Sequence, residues 1–287
     1  MSKISFPSNL DILIYKKNNP DLFNFTDKQL LNHYSVSGKN EGRICNQITN
    51  RHELIKYIDK NTSCLEIGPF DCPVLIGPNI KYFDVLNKEE LIERAIKCAR
   101  NNNNVPYIDY VDNTGNLNII DEKFDLILSC HSIEHQTNFI KHLTAVSRLL
   151  KNNGVYVVIC PDKRYCFDHF IKETTIADII NMNYINNEKH TMKSVIEHRA
   201  LTCHNDCERH WNNDHGAPTI QNIKLAINEY ETTEGYIDVH SLQFTPESFK
   251  GIIDILNKNN FIDFYCERVY PTLRNSNEFY AVLRKEK

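Results

Sequence analysis

Short apolar runs alternate with polar segments along this 287-residue chain, and the alternation predicts strands separated by helices. Apolar runs bounded by polar residues or glycine predict strands at 63–67, 80–85, 107–112, 124–130 and 155–160. Residues 142–150 predict a helix before the last of these strands, with Gly154 as its stop signal. After an irregular stretch the alternation resumes, with a helix at 247–257 and strands at 261–267 and 278–283. The pattern predicts an α/β domain whose sheet is largely parallel.

Two segments depart from this alternation. Residues 1–47 contain two predicted helices, at 10–15 and 26–34, and Gly38 and Gly42 interrupt the pattern that follows. Residues 163–240, called the cap below, are helical in places and crowded with His, Asp and Arg. A connection of this length is too long for a simple loop, so we expect it to cover the carboxyl ends of the strands. We therefore predict an N-terminal helical module at 1–47 and one larger domain at 48–287.

Composition narrows the class of protein. A net charge of −4 and 41% hydrophobic residues are typical of a globular protein, and they give no signal for a nucleic-acid partner. The first residues lack the apolar core of a secretory signal, and no apolar run is long enough to span a membrane. These features predict a cytoplasmic protein, or one in a host cytoplasm, whose ten cysteines are reduced.

The end of the first predicted strand carries the most informative motif. The strand places Glu66 before a corner formed by Gly68 and Pro69. A glycine there lets the backbone turn sharply and approach a ligand at the edge of the sheet. Because the other glycines of a dinucleotide fingerprint are missing, the turn favours a ligand without a pyrophosphate. The sequence Leu-Glu-Ile-Gly-Pro at 65–69 resembles motif I of the class I S-adenosylmethionine-dependent methyltransferases.

The resemblance continues through the next strands. It implies that Asp84 holds the ribose hydroxyls of S-adenosylmethionine and that Asp112 contacts its adenine side. His131-Ser-Ile-Glu-His135 resembles the H-x-x-E-H turn of the type 11 group, which implies a cofactor contact for His131. For His135 we favour a structural hydrogen bond over catalysis. The implied fold is a Rossmann-like α/β sheet of seven strands that ends in an antiparallel hairpin, with a mainly helical cap and a small N-terminal helical extension.

Two motifs in the cap region resemble a methyltransferase subgroup often encoded beside glycan-assembly genes. The first is Pro161-Asp-Lys-Arg-Tyr165, directly after the fifth strand. It implies acceptor contacts for Asp162, Arg164 and Tyr165. The alternative is an ion pair that fastens the cap, a role that fits Asp168 better.

The second motif lies between His204 and His215, where ionisable residues are dense enough to need a polar pocket or mutual pairing. Deprotonating an acceptor hydroxyl requires a base, and histidine titrates near neutral pH. We therefore predict that His204 or His215 is this base, assisted by the neighbouring acid Asp206 or Asp214, and that His240 returns to the pocket. Contact with the acceptor is assigned to His210 and to Trp211, for which core packing is the equal alternative.

A metal is possible in this region but is not expected. Cys203, His204, Cys207 and His210 supply zinc-type ligands, yet a second ligand pair at zinc-finger spacing is missing. A hard divalent ion held by Asp206 or Asp214 is the stronger alternative, because such ions prefer oxygen ligands.

Together these features predict an O-methyltransferase that uses S-adenosylmethionine and acts on a hydroxyl of a nucleotide sugar or glycan. A small-molecule or lipid methyltransferase is an alternative, although it would favour an apolar pocket. The pattern of residues 15–43 resembles a helical module attached to glycosyltransferases. That resemblance implies a glycosyltransferase partner, and the equal alternative is a helical extension that only packs on the larger domain. For the function of the whole chain, a non-catalytic, cofactor-binding partner of a glycosyltransferase is the remaining alternative.

Overall fold

A seven-stranded sheet forms the centre of the molecule, in the order β3-β2-β1-β4-β5-β7-β6. The structure is a computed structural model and describes residues 4–186 and 188–286. The strands up to β5 pair in parallel, and β7 runs antiparallel to both β5 and β6. The strands are Cys64–Ile67 (β1), Ile80–Asp84 (β2), Tyr110–Val111 (β3), Phe124–Cys130 (β4), Leu150–Pro161 (β5), Phe264–Tyr270 (β6) and Glu278–Lys285 (β7).

Helices cover both faces of the sheet and build the cap and the N-terminal module. They are Ile12–Asn18 (α1), Asp27–His33 (α2), Arg51–Ile55 (α3), Lys88–Lys97 (α4), Phe139–Leu149 (α5), Ile176–Tyr184 (α6), Met192–Ala200 (α7), Cys207–Trp211 (α8), Ile223–Thr232 (α9) and Pro246–Lys258 (α10). Among the residues that the structure describes, no helix is long and apolar enough to cross a membrane.

The core forms in two layers because successive side chains of a strand point to opposite faces. Leu65 and Ile67 of β1 join one apolar cluster with α5 and α10, whereas Cys64 joins the cluster on the other face. The strands of a parallel sheet are buried on both faces, which explains why β4 and β5 read as nearly continuous apolar runs. The cysteines in these runs act as small apolar residues, and all ten cysteines of the chain are free thiols.

The predicted fold is confirmed, and the differences concern its boundaries. Helix α5 begins at Phe139, where Asn138 accepts the N–H of Lys141, and it runs directly into β5. Gly154 therefore lies within β5, and its prediction as a helix stop was wrong. Helix α4 was not predicted, although Asn87 and Glu90 form a capping box, which is a sequence signal for the N-terminus of a helix.

The N-terminal module has its own small apolar core. Tyr15, Leu22, Leu30, Tyr34 and Cys45 are buried together between α1 and α2. Residues 4–8 behave differently, because Phe6 packs into the core of the large domain and Pro7 accepts the hydroxyl of Tyr270 at 2.6 Å. The first described residues of the predicted module thus pack on the large domain and not on the core of the module.

A buried histidine makes the large domain sensitive to acid. Nε2 of His142 lies 3.0 Å from the hydroxyl of Tyr156, and burial lowers the pKa of His142 from 6.5 to about 4. The unfolded chain takes up this proton at a higher pH than the folded chain does. The free energy of unfolding is therefore expected to fall by up to about 3 kcal/mol as the pH drops from about 6.5 to about 4. Urea unfolding at a series of pH values measures this slope.

His142→Gln should flatten the slope because it removes the titrating group. The exposed His52 supplies the matched control, since His52→Gln leaves the buried site intact. A slope that is the same in the wild type and in His142→Gln would contradict the assignment.

Candidate active site

A large cleft opens at the carboxyl ends of β1, β2 and β4, where the cap faces the sheet. Its volume of about 2050 Å³ exceeds the roughly 300–1,000 Å³ of a pocket for one small ligand. The cleft therefore has room for a cofactor and an acceptor together. Glu66, Gly68, Pro69, Asp84 and His131, predicted as cofactor residues, all line it.

Glu66 shapes the loop after β1 rather than presenting a free carboxylate. Its side chain is fully buried and accepts the N–H groups of Val74 (2.8 Å) and Leu75 (2.8 Å). Burial raises the pKa of Glu66 to about 7, although these two hydrogen bonds act in the opposite direction. Since both oxygens are engaged with the backbone, Glu66 holds the loop in place. The predicted direct contact between Glu66 and the cofactor is not supported by this arrangement.

Gly68 makes the sharp turn that the sequence predicted. Its φ of +72° lies in the left-handed region, and a Cβ at this position would lie 3.3 Å from Ser132. The turn brings the end of β1 against the residues that follow β4. The backbone at 68–69 can therefore lie directly against a ligand in the cleft.

Asp84 ends β2 with its carboxylate at the cleft. The residue is 6% exposed, its Oδ1 accepts the N–H of Leu86 at 3.3 Å, and burial raises its pKa. A carboxylate in this position can accept hydrogen bonds from a pair of ribose hydroxyls.

We expect Asp84→Asn to weaken the binding of S-adenosylhomocysteine by about 1.5–3 kcal/mol, because it replaces a charged acceptor by a neutral one of the same shape. Calorimetry measures the affinity. The control is Asp59→Asn, which changes an exposed acid outside the cleft and should leave the affinity unchanged. Equal affinity in Asp84→Asn and the wild type would remove Asp84 from the site.

Asp112 follows β3 as the sequence predicted, but it does not line the cleft. Its Oδ1 accepts the N–H and hydroxyl of Thr114 and the N–H of Asn116, at 2.9, 2.5 and 3.0 Å. These bonds fold the loop after β3, and residues 113–118 of this loop line the cleft while Asp112 does not. Asp112 is therefore a loop-forming residue, and it is the loop that follows it which faces the cleft.

His131 follows β4 and joins a charged group at the cleft. Its φ of 49° is unusual for a residue with a side chain. Nε2 of His131 lies 2.8 Å from Oε1 of Glu278, and Arg51 forms an ion pair with the same carboxylate. Burial opposes the charged form of Glu278, but the hydrogen bonds from His131 and Arg51 hold its pKa well below the usual value.

Arg51 and Glu278 were missed by the sequence analysis. They stand 227 positions apart, at the start of α3 and the start of β7. The one available signal was that both elements begin at the edge of the sheet where ligands bind in α/β folds. That signal does not single out these two residues.

His204 and His215, the cap histidines predicted as the base, lie outside the cleft. His204 has both ring nitrogens engaged with the backbone: Nε2 with the carbonyl of Asp214 at 2.9 Å, and Nδ1 with the N–H of Asp206 at 3.2 Å. His215 stacks on His169 at a centroid distance of 3.7 Å, and burial is the main cause that lowers its pKa. Neither residue lines the cleft, so both are structural residues of the cap.

His210 and Trp211 are also packed away from the cleft. His210 is 1% exposed, with Nδ1 3.0 Å from Nδ1 of His215. Trp211 stacks on Tyr165 with parallel rings 3.8 Å apart and donates its indole N–H to the carbonyl of Ser276 at 2.8 Å. Core packing, the alternative to a sugar platform, is the arrangement observed for Trp211.

The first cap motif forms an ion pair instead of an acceptor site. Asp162 is fully buried, accepts two guanidinium nitrogens of Arg164 (Nε 2.9 Å, Nη2 2.6 Å) and accepts the hydroxyl of Thr272 at 2.6 Å. Arg164 in turn lies over the ring of Tyr165, 5.2 Å from its centroid. None of these three residues lines the cleft, so they fasten the start of the cap to the sheet.

The acids considered for a hard metal ion are engaged individually. Asp206 caps helix α8 by accepting the N–H of Arg209 at 3.1 Å. Asp214 pairs with the guanidinium of Arg209 at 2.7 Å instead of assisting His215. They do not form a common oxygen site. The thiol of Cys207 donates to the carbonyl of Asn275 at 3.0 Å, which removes it from the zinc alternative.

His240 is buried at the far end of the cap. Its Nδ1 lies 2.6 Å from Oδ2 of Asp168, and its Nε2 lies 3.8 Å from Oε1 of Glu134. Burial disfavours the charged imidazole, but the charge and hydrogen bond of Asp168 outweigh it and raise the pKa of His240 to about 8. His240 lies behind the cleft wall, whereas His135, assigned a structural role from the sequence, lines the cleft.

Comparison with known proteins finds similarity to methyltransferases. Residues 80–158 match the family model described as a methyltransferase domain. An uncharacterized protein of Methanocaldococcus jannaschii is 34% identical over 104 residues, which are 35% of this chain and 38% of that protein. The match thus spans well under half of the relative's length.

Solved methyltransferases resemble the fold weakly. An S-adenosylmethionine-dependent methyltransferase from Clostridium acetobutylicum is 11% identical, with 91% of this chain and 99% of that chain covered and a TM-score of 0.42. The CcbJ methyltransferase from Streptomyces caelestis is 12% identical, with coverages of 82% and 93% and a TM-score of 0.41. A mitomycin 7-O-methyltransferase is 10% identical, with coverages of 96% and 60% and a TM-score of 0.40.

The strand order, with its terminal antiparallel hairpin, is that of a Rossmann-like α/β methyltransferase fold, and the matched segment agrees with it. The matched segment runs from β2 into β5, and it is this part of the chain that the family model of a methyltransferase domain describes. The residues of the cleft fit S-adenosylmethionine, because the left-handed turn at Gly68 and the carboxylate of Asp84 face one cleft.

Proposed function

We propose that the chain transfers a methyl group from S-adenosylmethionine to a hydroxyl of a sugar, in a nucleotide sugar or a glycan. The observation that carries the proposal is the His131–Glu278 pair, 2.8 Å apart, at the carboxyl end of β4 beside the turn at Gly68. A carboxylate-oriented imidazole at the edge of a cofactor cleft is the arrangement that activates a hydroxyl.

The residues of the pair have separate tasks. Glu278 is fixed by Arg51, and it holds the Nε2–H of His131, which sets the tautomer of the imidazole. Nδ1 of His131 is then free to take the proton of the acceptor hydroxyl. The cofactor, when bound, supplies the methyl group. The residues of the chain orient the acceptor, remove its proton and exclude water.

The polar lining of the cap side supports a sugar acceptor. Side chains there offer amides, charges and aromatic faces rather than a continuous apolar wall, among them Asn183, Lys189, His190, Asn205, Glu231 and Tyr236. Such groups can each bond a hydroxyl of a polyhydroxylated ligand. A lipid or quinone acceptor would need a predominantly apolar wall.

A methyl-transfer screen tests the proposal. The full-length chain is incubated with labelled S-adenosylmethionine and with sugars, nucleotide-linked deoxy- and aminosugars, glycans, phenols and lipid quinones. Transfer to a sugar hydroxyl supports the proposal, and transfer only to phenols or quinones overturns the substrate class. Cofactor binding without transfer to any acceptor would favour the alternative of a non-catalytic partner protein.

A further inference from the structure

We infer that Glu134, His135 and His240 form a binding site for a divalent transition-metal ion that joins the cap to the sheet. Each of these residues offers one ligand atom, and the three atoms lie within 4.8 Å of one another. The inference goes beyond the proposed function and does not depend on the methyl acceptor, because two of the three ligands, Glu134 and His240, do not line the cleft.

The carboxylate of Glu134 lacks a hydrogen-bond partner. The residue is 1% exposed, and among the described residues neither of its oxygens accepts a hydrogen bond. The nearest imidazole nitrogens are Nδ1 of His131 at 3.7 Å and Nε2 of His240 at 3.8 Å, both beyond hydrogen-bond distance. Leaving a buried carboxylate in this state is costly. A bound cation supplies the missing partner.

One of the imidazoles is oriented by a second carboxylate, since Nδ1 of His240 contacts Asp168 at 2.6 Å. Nδ1 of His135 lies 3.2 Å from Oδ1 of Asp238 without a hydrogen bond, so this buried nitrogen, like the carboxylate of Glu134, lacks a hydrogen-bond partner among the described residues. Histidine ligands of metals usually present one nitrogen to the ion and the other to a carboxylate or carbonyl. The arrangement therefore leaves Nε2 of His240 for the ion, on the side of Glu134.

The distance between His240 and Glu134 suits a small transition-metal ion, and the ligand nitrogen of His135 lies within 4.8 Å of both of their ligand atoms. Zinc–nitrogen and zinc–oxygen bonds of about 2.0–2.2 Å place tetrahedral ligand atoms roughly 3.3–3.6 Å apart. The 3.8 Å between Nε2 of His240 and Oε1 of Glu134 closes to this value with a small movement of either side chain. Two imidazoles and one carboxylate are a typical ligand set for Zn²⁺ or Fe²⁺, whereas Mg²⁺ and Ca²⁺ prefer oxygen ligands.

The backbone holds the ligands together independently of any ion. The carbonyl of Glu134 accepts the N–H groups of Ser241 and Leu242 at 2.8 and 3.1 Å. These bonds join the turn after β4 to the end of the cap, the two segments that carry the ligands. The site is thus preorganised, which lowers the cost of binding an ion.

A second histidine group is less suited to an ion. His169, His210 and His215 also bring ligand atoms within 4.8 Å of one another. The rings of His169 and His215, however, stack with centroids 3.7 Å apart and planes 11° apart. Their in-plane lone pairs therefore run side by side instead of converging on a point.

Metal titration of the full-length chain tests the inference without cofactor or acceptor. After treatment with a chelator, the protein is titrated with Zn²⁺ against a chromophoric competitor and with Co²⁺ by visible absorption. We expect about one ion per chain, a rise in Tm on addition of Zn²⁺, and Co²⁺ bands without a strong thiolate charge-transfer band. Mg²⁺ should not compete.

Matched variants locate the ion. Glu134→Gln and His240→Gln should lose binding, and Asp168→Asn should weaken it about 10–100-fold. His215→Gln is the control and should bind like the wild type. Circular dichroism shows whether each variant is folded. If a variant does not fold, the Co²⁺ spectrum of the wild type still tests the ligand set.

Two results would overturn the inference. A wild-type chain that binds neither Zn²⁺ nor Co²⁺ would make the cluster a buried ion-pair network. Loss of binding in His215→Gln with retention in Glu134→Gln would place the ion at the other histidine group. Neither result bears on methyl transfer, which the acceptor screen measures separately.

Discussion

His131→Asn is expected to lower the turnover number of methyl transfer about 10²–10⁴-fold, the usual contribution of a general base. Asparagine is the informative replacement because it tolerates the left-handed backbone at this position, where φ is 49°. The variant therefore removes the imidazole without straining the turn after β4. Steady-state kinetics with the acceptor found in the screen measure the turnover number at saturating cofactor, and calorimetry measures any separate loss of cofactor affinity.

Glu278→Gln serves as the companion variant, since it keeps the shape of the side chain but removes the charge that orients His131. It should lower the turnover number in the same direction and by a smaller factor. A double variant that is no slower than His131→Asn alone would show that the two residues act as a unit. Full activity in His131→Asn would contradict the assignment of the base.

The sheet and the cofactor side could be predicted because their signals are local. Strand β4 spans Phe124–Cys130 as predicted, since a parallel strand buried on both faces leaves a continuous apolar run in the sequence. Gly68 and Asp84 end neighbouring strands, and the ends of parallel strands meet at one edge of the sheet. Sequence position alone therefore brought these two residues to the same cleft.

The acceptor side could not be predicted in this way, because its contacts join distant segments. A dense run of ionisable residues indicated a polar pocket, but the run is satisfied internally: Arg209 pairs with Asp214, and His204 bonds the backbone on both sides. The acid that orients His131 is Glu278 of β7, which lies far from His131 in the sequence. Nothing in the local sequence of His131 indicates which carboxylate the fold will bring to it.

Asp112 shows a third limit. Its position after β3 was predicted, but the direction of its side chain depends on loop geometry. An aspartate can bond the backbone two residues ahead, and Asp112 does so with Thr114 at 2.9 Å. Asp84 at the end of β2 accepts a single bond of this kind, from the N–H of Leu86 at 3.3 Å, and it lines the cleft. Residue type and position fix the neighbourhood of a side chain, whereas its hydrogen-bond partners fix its role.

Trp211→Ala is expected to lower the free energy of unfolding by about 3 kcal/mol, the lower end of the range for removing a large aromatic residue from a core. Trp211 is 9% exposed, stacks on Tyr165 and lies against the N-terminal module, where a Cβ on Gly42 would come within 2.6 Å of its ring. The variant removes these contacts and leaves the carbonyl of Ser276 without its donor. Urea unfolding measures the change.

The same variant separates packing from substrate binding. Because Trp211 does not line the cleft, KM for the acceptor should be unchanged at temperatures where the variant is folded. Tyr184→Ala is the matched control, since this aromatic side chain is 88% exposed and its removal should change the free energy of unfolding by less than about 0.5 kcal/mol. A large rise in KM with unchanged stability would instead make Trp211 a stacking platform for the sugar, and the packing account of helix α8 would then be wrong.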